Sequence, residues 1–294
     1  MHVAILGCGY VGLELGRQLI DAGHDVVGVR RSDAGLAAIE AAGFDPTRAD
    51  LTDASSLAAL PDADWVVYAA SAGGRGVDAA RTAYVDGLRT VAETLGERTS
   101  PPDRLVYTSS TGVYGDQDGD WVDEETSPDP ATDRQRILLE AERIALEETA
   151  AWGIDGTVVR FGGLYGPDRY RLDRYLEGPV TEGYLNSIHR DDAAGAVAHL
   201  LATDVARDEV VLAVDDEPVS KWRFADWLAE QCGVSPPKKW TVAEREAAAE
   251  GEVSRRVRAN KRCANDRLHE LGYELRYPTV RDGFRPAIET YRTN

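Results

Sequence analysis

Lysine is nearly absent from this chain: Lys221, Lys238, Lys239 and Lys261 are the four among 33 basic residues, and 51 acids bring the formal charge to −18. A surface of that sign repels a phosphate backbone, which excludes nucleic acid as a partner. Acidic excess with little lysine resembles the surfaces of proteins from salt-loving archaea, where molar salt shortens the Debye length to about 3 Å and removes self-repulsion. Cysteine is scarce as well. Cys8, Cys232 and Cys263 are too few for a disulfide scaffold and too scattered for a zinc framework, which fits a reducing compartment. The five histidines show no metal-ligand spacing, so no metal is expected. No run approaches the roughly 18 consecutive apolar residues of a membrane span, and the N-terminus begins directly with a core strand. A soluble, cytoplasmic protein without a membrane partner is expected.

What is present begins at residues 3–12, VAILGCGYVG, where a short apolar strand runs into Gly7-x-Gly9-x-x-Gly12. Gly7 permits a tight turn, Gly9 lets backbone approach a pyrophosphate, and Gly12 lets the following helix pack closely on the strand. Tyr10 and Val11 open that helix, so its unpaired N–H groups face the phosphates. The helix continues through Leu13, Leu15, Leu19 and Ile20 to Gly23, and a second strand follows at Asp25 to Val29. Strand, glycine turn, helix and strand within 30 residues form a complete dinucleotide-binding unit.

The end of the second strand predicts which dinucleotide. NAD sites usually carry Asp or Glu there, to accept hydrogen bonds from the adenosine ribose. Here Arg30, Arg31 and Ser32 follow, and two guanidinium groups suit a 2′-phosphate that an acid would repel. NADP(H) is therefore expected over NAD(H), the other reading being arginines merely solvated at a strand end.

Alternation continues along the chain. Strands are expected near Phe44 to Ala49, at Trp65 to Ala70, Arg104 to Thr108, Gly156 to Arg160 and Glu209 to Val214, with a long helical stretch from Asp78 to about Gly96. Continuous apolar strands between helices predict an α/β, Rossmann-type doubly wound parallel sheet buried on both faces, with ligands at the strands' C-terminal ends. Residues 1–167 plus 187–217 are expected to form the NAD(P)-binding domain. Residues 168–186 plus 218–294, less regular and rich in tryptophan, are expected to form a smaller C-terminal substrate lobe.

Several segments at those strand ends share an order with a known family: GCGYVG, Asp50-Leu51, Ala69-Ala70-Ser71, Ser109-Ser110-x-x-Val113-Tyr114-Gly115, Arg160 with Leu164-Tyr165-Gly166-Pro167, and Ile188-His189-x-Asp191-Asp192. Over residues 1–217 the chain resembles the extended short-chain dehydrogenases/reductases, a family of NAD(P)-dependent nucleotide-sugar epimerases, dehydratases and reductases. The resemblance implies that Asp50 and Leu51 contact the adenine, that Ala69 and Ala70 line the cofactor's ribose side, that the segment after Ser71 forms part of the pocket floor, and that Ser110 polarises the substrate.

One departure matters. The family's catalytic pair is Tyr-x-x-x-Lys on the helix after the VYG segment, where lysine assists a phenol in exchanging a proton with substrate. Aligning that helix on Leu138-Leu139-Glu140-Ala141-Glu142 puts Arg134 at the tyrosine and Leu138 at the lysine; shifting by two gives Thr132 and Arg136. Neither register restores the pair, and arginine cannot donate a proton at neutral pH. Tyr114, Tyr165 and His189 remain as candidate proton carriers, with packing roles as the alternatives for the tyrosines and a helix start at Asp191 and Asp192 beside His189. Asp123, Glu124 and Glu125 fall in a polar loop, 116–133, that reads as a solvated lid. Arg255, Arg256, Arg258, Lys261 and Arg262 form a cationic cluster suited to a nucleotide diphosphate or to balancing local acid.

Two functions remain open. One is NADP(H)-dependent oxidoreduction or epimerisation of a sugar-nucleotide or small polyol carbonyl, with a small-molecule substrate and a second copy of the chain as partners. The other is a non-catalytic NADP(H)-binding sensor or scaffold.

Overall fold

The computed structural model describes residues 1–74, 76–248 and 260–293. Five strands, β1 (His2–Leu6), β2 (Asp25–Arg30), β3 (Asp45–Arg48), β4 (Trp65–Tyr68) and β5 (Arg104–Ser110), join Asp155–Phe161 and Glu209–Ala213 in one seven-stranded sheet. Its order is Glu209–Ala213, Asp155–Phe161, β5, β4, β1, β2, β3, and every pairing is parallel. The chain leaves β3 at one edge and resumes beside β1 at β4. That reversal opens a crevice above the C-terminal ends of β1 and β4, where doubly wound sheets bind ligands.

Alternation along β1 shows why the sheet is buried twice. Val3 and Ile5 join a core with Leu15 and Leu19 of helix α1 (Tyr10–Asp21) and with Val197 and Leu200 of the helix Arg190–Ala202. Ala4 and Leu6 point the other way, toward Val85, Leu88 and Val91 of the helical run 77–96 and Ile137 of the helix Asp133–Arg143. Both cores are apolar, so a strand with no polar face is the expected sequence. A separate core, built from Val219, Phe224, Leu228, Val280, Phe284 and Ile288, holds the helices Lys221–Cys232 and Val280–Thr293 beside Tyr165.

Two features differ from the sequence reading. The loop 116–133 is anchored: Trp121–Val122 pairs in parallel with Arg262–Cys263, Gln117 and Gly119 N–H groups donate to Asn260 O, and Glu124 Oε1 accepts from Leu212 N–H at 2.7 Å. A lid would forgo those bonds. Arg104, predicted only as the start of a strand, is fully buried; it donates to Thr157 Oγ1 at 2.9 Å and to the carbonyls of Leu200 and Val205, thereby closing the C-terminal end of the helix Arg190–Ala202.

Candidate functional site

The glycine turn after β1 is built for close approach. Gly7 holds φ +76°, and a Cβ there would lie 2.3 Å from Ala70 Cα, so this position excludes any side chain. A Cβ on Gly12 would meet Ile5 Cγ2 at 3.0 Å, which explains how tightly α1 packs on β1. Gly9 is the N-cap of α1 and no side chain caps it; the first turn holds no acid. Free N–H groups at the start of a 12-residue helix, beneath a turn with no side chains in the way, fit a pyrophosphate. Tyr10 turns its hydroxyl to Pro167 O at 2.9 Å, tying the turn to the loop after Asp155–Phe161, while Val11 and Gly12 are buried. Burial pushes the Cys8 thiol up to about 12, so the cysteine within the motif is inert at neutral pH.

Around the end of β2 the predicted arginines occupy different levels. Arg30 is half-buried directly beneath the turn, with Nη1 3.0 Å from where a Gly9 Cβ would stand. Arg31 is exposed, pairs with Asp50 Oδ2 at 3.3 Å and extends toward Gly73 in the loop after β4. Ser32 is the N-cap of helix α2 (Asp33–Ala42), its Oγ accepting from Gly35 N–H at 3.2 Å. A third guanidinium, which the sequence reading missed, comes from β3: Arg48 donates to Arg31 O at 2.5 Å and pairs with Asp33. Register explains it, since Arg48 lies opposite Arg30 in the β2–β3 ladder. Asp50 accepts from Thr52 N–H and Oγ1 at 3.0 and 2.8 Å, and these bonds, with Arg31, hold its carboxyl below the usual range. Leu51 is half-buried against the run 77–96; Ala69 and Ala70 line the base of the crevice, and Ser71 is exposed.

The candidate catalytic residues separate. Ser110 ends β5 half-buried, and its Oγ accepts from Gly112 N–H at 3.1 Å, leaving the hydroxyl proton free to donate. Tyr114 does not open on the crevice. It is completely buried, donates to Asp123 O at 2.6 Å and accepts from Arg160 Nη1 at 2.7 Å, so both functions of its hydroxyl are used. Arg160 in turn grips Glu142 at 2.7 and 3.0 Å, and Ser109 donates to the same carboxylate at 2.5 Å, a buried network that fixes β5 against the helix Asp133–Arg143. His189 is the N-cap of the helix Arg190–Ala202, its Nδ1 accepting from Asp191 N–H at 3.2 Å. Burial, reinforced by Arg190 and Arg276, lowers it to about 4, so the imidazole is neutral at physiological pH, and its buried Nε2 has no partner among the described residues. Tyr165 packs between Phe284 and His189, with burial pushing its phenol far up.

At the family's tyrosine position, Arg134 is exposed and donates from Nη2 to Tyr84 Oη at 2.9 Å, its guanidinium 5.5 Å over the Tyr84 ring. Leu138, at the lysine position, packs into the apolar cores. The shifted register fares no better, because Thr132 caps the helix in a capping box with Gln135 and Arg136 pairs with Asp133 at 2.6 Å. Of the basic cluster, Lys261 is buried and donates to Gly115 O at 3.2 Å, and Arg262 donates to Gly119 O at 2.7 Å; Arg255, Arg256 and Arg258 lie outside the described residues. Among the described residues no group of three or more His, Cys, Asp or Glu could hold a metal ion, and no helix is long and apolar enough to cross a membrane.

A seven-stranded parallel sheet with a glycine turn and an uncapped helix N-terminus at its crevice defines a Rossmann-type dinucleotide-binding protein. Residues 3–210 match the NAD dependent epimerase/dehydratase family, and the chain belongs to it. Protein YeeZ of Escherichia coli strain K12 is 28% identical over 284 residues, covering 94% of this chain and 96% of its own. A solved structure from Methylobacillus flagellatus, described as a candidate NAD-dependent epimerase/dehydratase, is 30% identical, covers 100% of this chain and 99% of its own, and superposes with a TM-score of 0.76. The fold also matches a double mutant of DesIV, the dTDP-glucose 4,6-dehydratase of Streptomyces venezuelae, solved with NAD and DAU bound, at 20% identity, a TM-score of 0.78 and coverage of 100% and 98%.

Proposed function

We propose that this protein is an NADP(H)-dependent oxidoreductase or epimerase acting on the carbonyl of a sugar nucleotide or small polyol. The observation that carries the reading is the crevice itself: an uncapped helix N-terminus over Gly7, Gly9 and Gly12, with Arg30, Arg31 and Arg48 gathered where β2 ends. Backbone N–H groups of α1 would hold the pyrophosphate, and the guanidinium groups would hold a 2′-phosphate, which Asp50 alone would repel. Membership of an NAD-dependent family supports the cofactor class, and the arginines favour the phosphorylated form.

When bound, the nicotinamide supplies or accepts two electrons as hydride. The chain's part is to present Ser110, whose free hydroxyl proton can hydrogen-bond the reacting oxygen, on a turn that the Arg160–Glu142 network keeps rigid. The core of residues 219–288, closing over Tyr165, would provide the substrate side, whereas Lys261 and Arg262 are engaged with Gly115 O and Gly119 O.

A second reading, a cofactor-binding sensor or scaffold, draws on one observation: Arg134 and Leu138 stand where the family has tyrosine and lysine. A turnover screen separates the two. With a nicotinamide cofactor and a panel of keto-sugars and sugar nucleotides, the enzyme reading expects either net NADPH oxidation or, for an epimerase, a change of sugar configuration without net oxidation, which Ser110→Ala lowers by roughly 10²-fold without weakening NADPH binding. NADPH binding with no turnover across the panel favours the sensor.

A further inference from the structure

We propose that Tyr84, held by Arg134, is the proton donor of this site and takes over from the missing tyrosine–lysine pair; the inference rests on the reading of the site as NAD(P)-dependent carbonyl chemistry. Three observations support it.

The first is backbone. Between helical turns at Val77–Arg81 and Gly87–Gly96, the residues Thr82–Asp86 form a π turn, and Tyr84 lies at its centre. Such a turn inserts a residue into the helix and recurs at functional sites, where it re-aims a side chain.

The second is the hydrogen-bond account of the phenol. Tyr84 Oη accepts from Arg134 Nη2 at 2.9 Å and from Ala72 N–H at 3.4 Å, yet its own O–H has no acceptor among the described residues. Of the other hydroxyls, Tyr68 donates to Ala83 O, Tyr114 to Asp123 O and Tyr10 to Pro167 O, while Tyr107, fully buried within the apolar core, has no partner among the described residues. A buried hydroxyl whose two lone pairs are occupied and whose proton is unspent is arranged to donate to something that arrives.

The third is position. Ala72 belongs to the loop after β4 at the crevice, and Arg134 stands on the first turn of the helix Asp133–Arg143. Its neighbour Gln135 donates to Gly112 O at 2.6 Å, beside Ser110. One helical turn therefore links the Tyr84 phenol to the Ser110 turn. Arg134 cannot give up a proton, but its guanidinium can stabilise a phenolate.

In the reducing direction, with NADPH as the source of the hydride for the new C–H bond, Tyr84 Oη would give its proton to the carbonyl oxygen. The phenolate left against Arg134 is then reprotonated from water. Oxidation runs the same transfers backwards.

The test compares the parent with Tyr84→Phe, Arg134→Gln and Arg134→Lys. Calorimetric NADPH affinity should be unchanged in Tyr84→Phe, while kcat for any carbonyl that the parent reduces falls roughly 10²-fold or more at nearly constant KM. Arg134→Lys should retain more kcat than Arg134→Gln. A kcat within about three-fold of the parent for Tyr84→Phe overturns the proposal. A crystal structure with NADP+ and a polyol decides separately from turnover. The proposal expects the phenol oxygen within about 3 Å of a polyol hydroxyl, directly or through one water. A Tyr84 that keeps only its Ala72 and Arg134 bonds, with side chains between it and the ligand, overturns it even in an active enzyme. A parent that neither reduces a carbonyl nor epimerises a sugar removes the enzyme reading, and the crystal structure still tests Tyr84.

Discussion

Lowering the pH should destabilise this protein through His189 by an amount that the structure lets us work out. An exposed imidazole titrates near 6.5, and burial at the start of the helix Arg190–Ala202, with Arg190 and Arg276 adding to it against Asp191, lowers His189 to about 4. The unfolded chain therefore takes up this proton first as pH falls. Stability from the neutral imidazole is fully present above pH 6.5 and is lost progressively toward pH 4. Between pH 7 and pH 5 the linkage relation gives a loss on the order of 2 kcal/mol. Protonation also removes Nδ1 as the acceptor for Asp191 N–H, so the helix loses its cap in the same step. The control is His189→Asn, because asparagine is a competent N-cap and does not titrate. Asp192, Asp215 and Glu124, carboxyls that burial raises, act in the opposite sense but are common to both proteins and cancel. Urea unfolding at the two pH values should show the parent losing about 2 kcal/mol more than His189→Asn. Parallel losses in the two proteins would refute the reasoning.

Other outcomes follow from the same geometry. Gly7→Ala forces a Cβ to within 2.3 Å of Ala70 Cα at φ +76°, and thermal melts should show a destabilisation of at least about 2 kcal/mol together with lost cofactor binding. Glu142→Gln leaves Arg160 buried with half its partner, and chemical unfolding should register a loss of about 3–5 kcal/mol, whereas Arg136→Gln, on the surface of the same helix, should cost under about 1 kcal/mol. With a formal charge of −18, the melting temperature should climb as KCl is raised from dilute buffer to molar concentration, and a flat profile would count against self-repulsion.

Local pattern carried most of the fold. The glycine turn, the alternation of strand and helix and the two-sided burial of β1 are all written in neighbouring residues, so they were legible from sequence. Partners distant in sequence were not. Arg48 reaches the end of β2 only through the β2–β3 register, and Glu124 anchors its loop only because Leu212, on the edge strand, has a free N–H. Tyr114 sits in a motif that suggests a pocket residue, yet Arg160, 46 positions away, claims its hydroxyl. Tyr84 carried no motif; its signal was a tyrosine in a helix, and its meaning depends on Arg134 fifty positions on. Hydrogen-bond direction, which decides that a phenol's proton is unspent, cannot be read from a sequence at all.

Selection of a phosphorylated dinucleotide by the arginines at the end of β2 is tested by one calorimetric comparison. NADPH and NADH are titrated into the parent and into the Arg30→Ala/Arg31→Ala double variant. The parent should bind NADPH more tightly than NADH, with the preference erased in the variant at about 1.5–3 kcal/mol per charged hydrogen bond lost. Equal affinity of the parent for the two cofactors would contradict it.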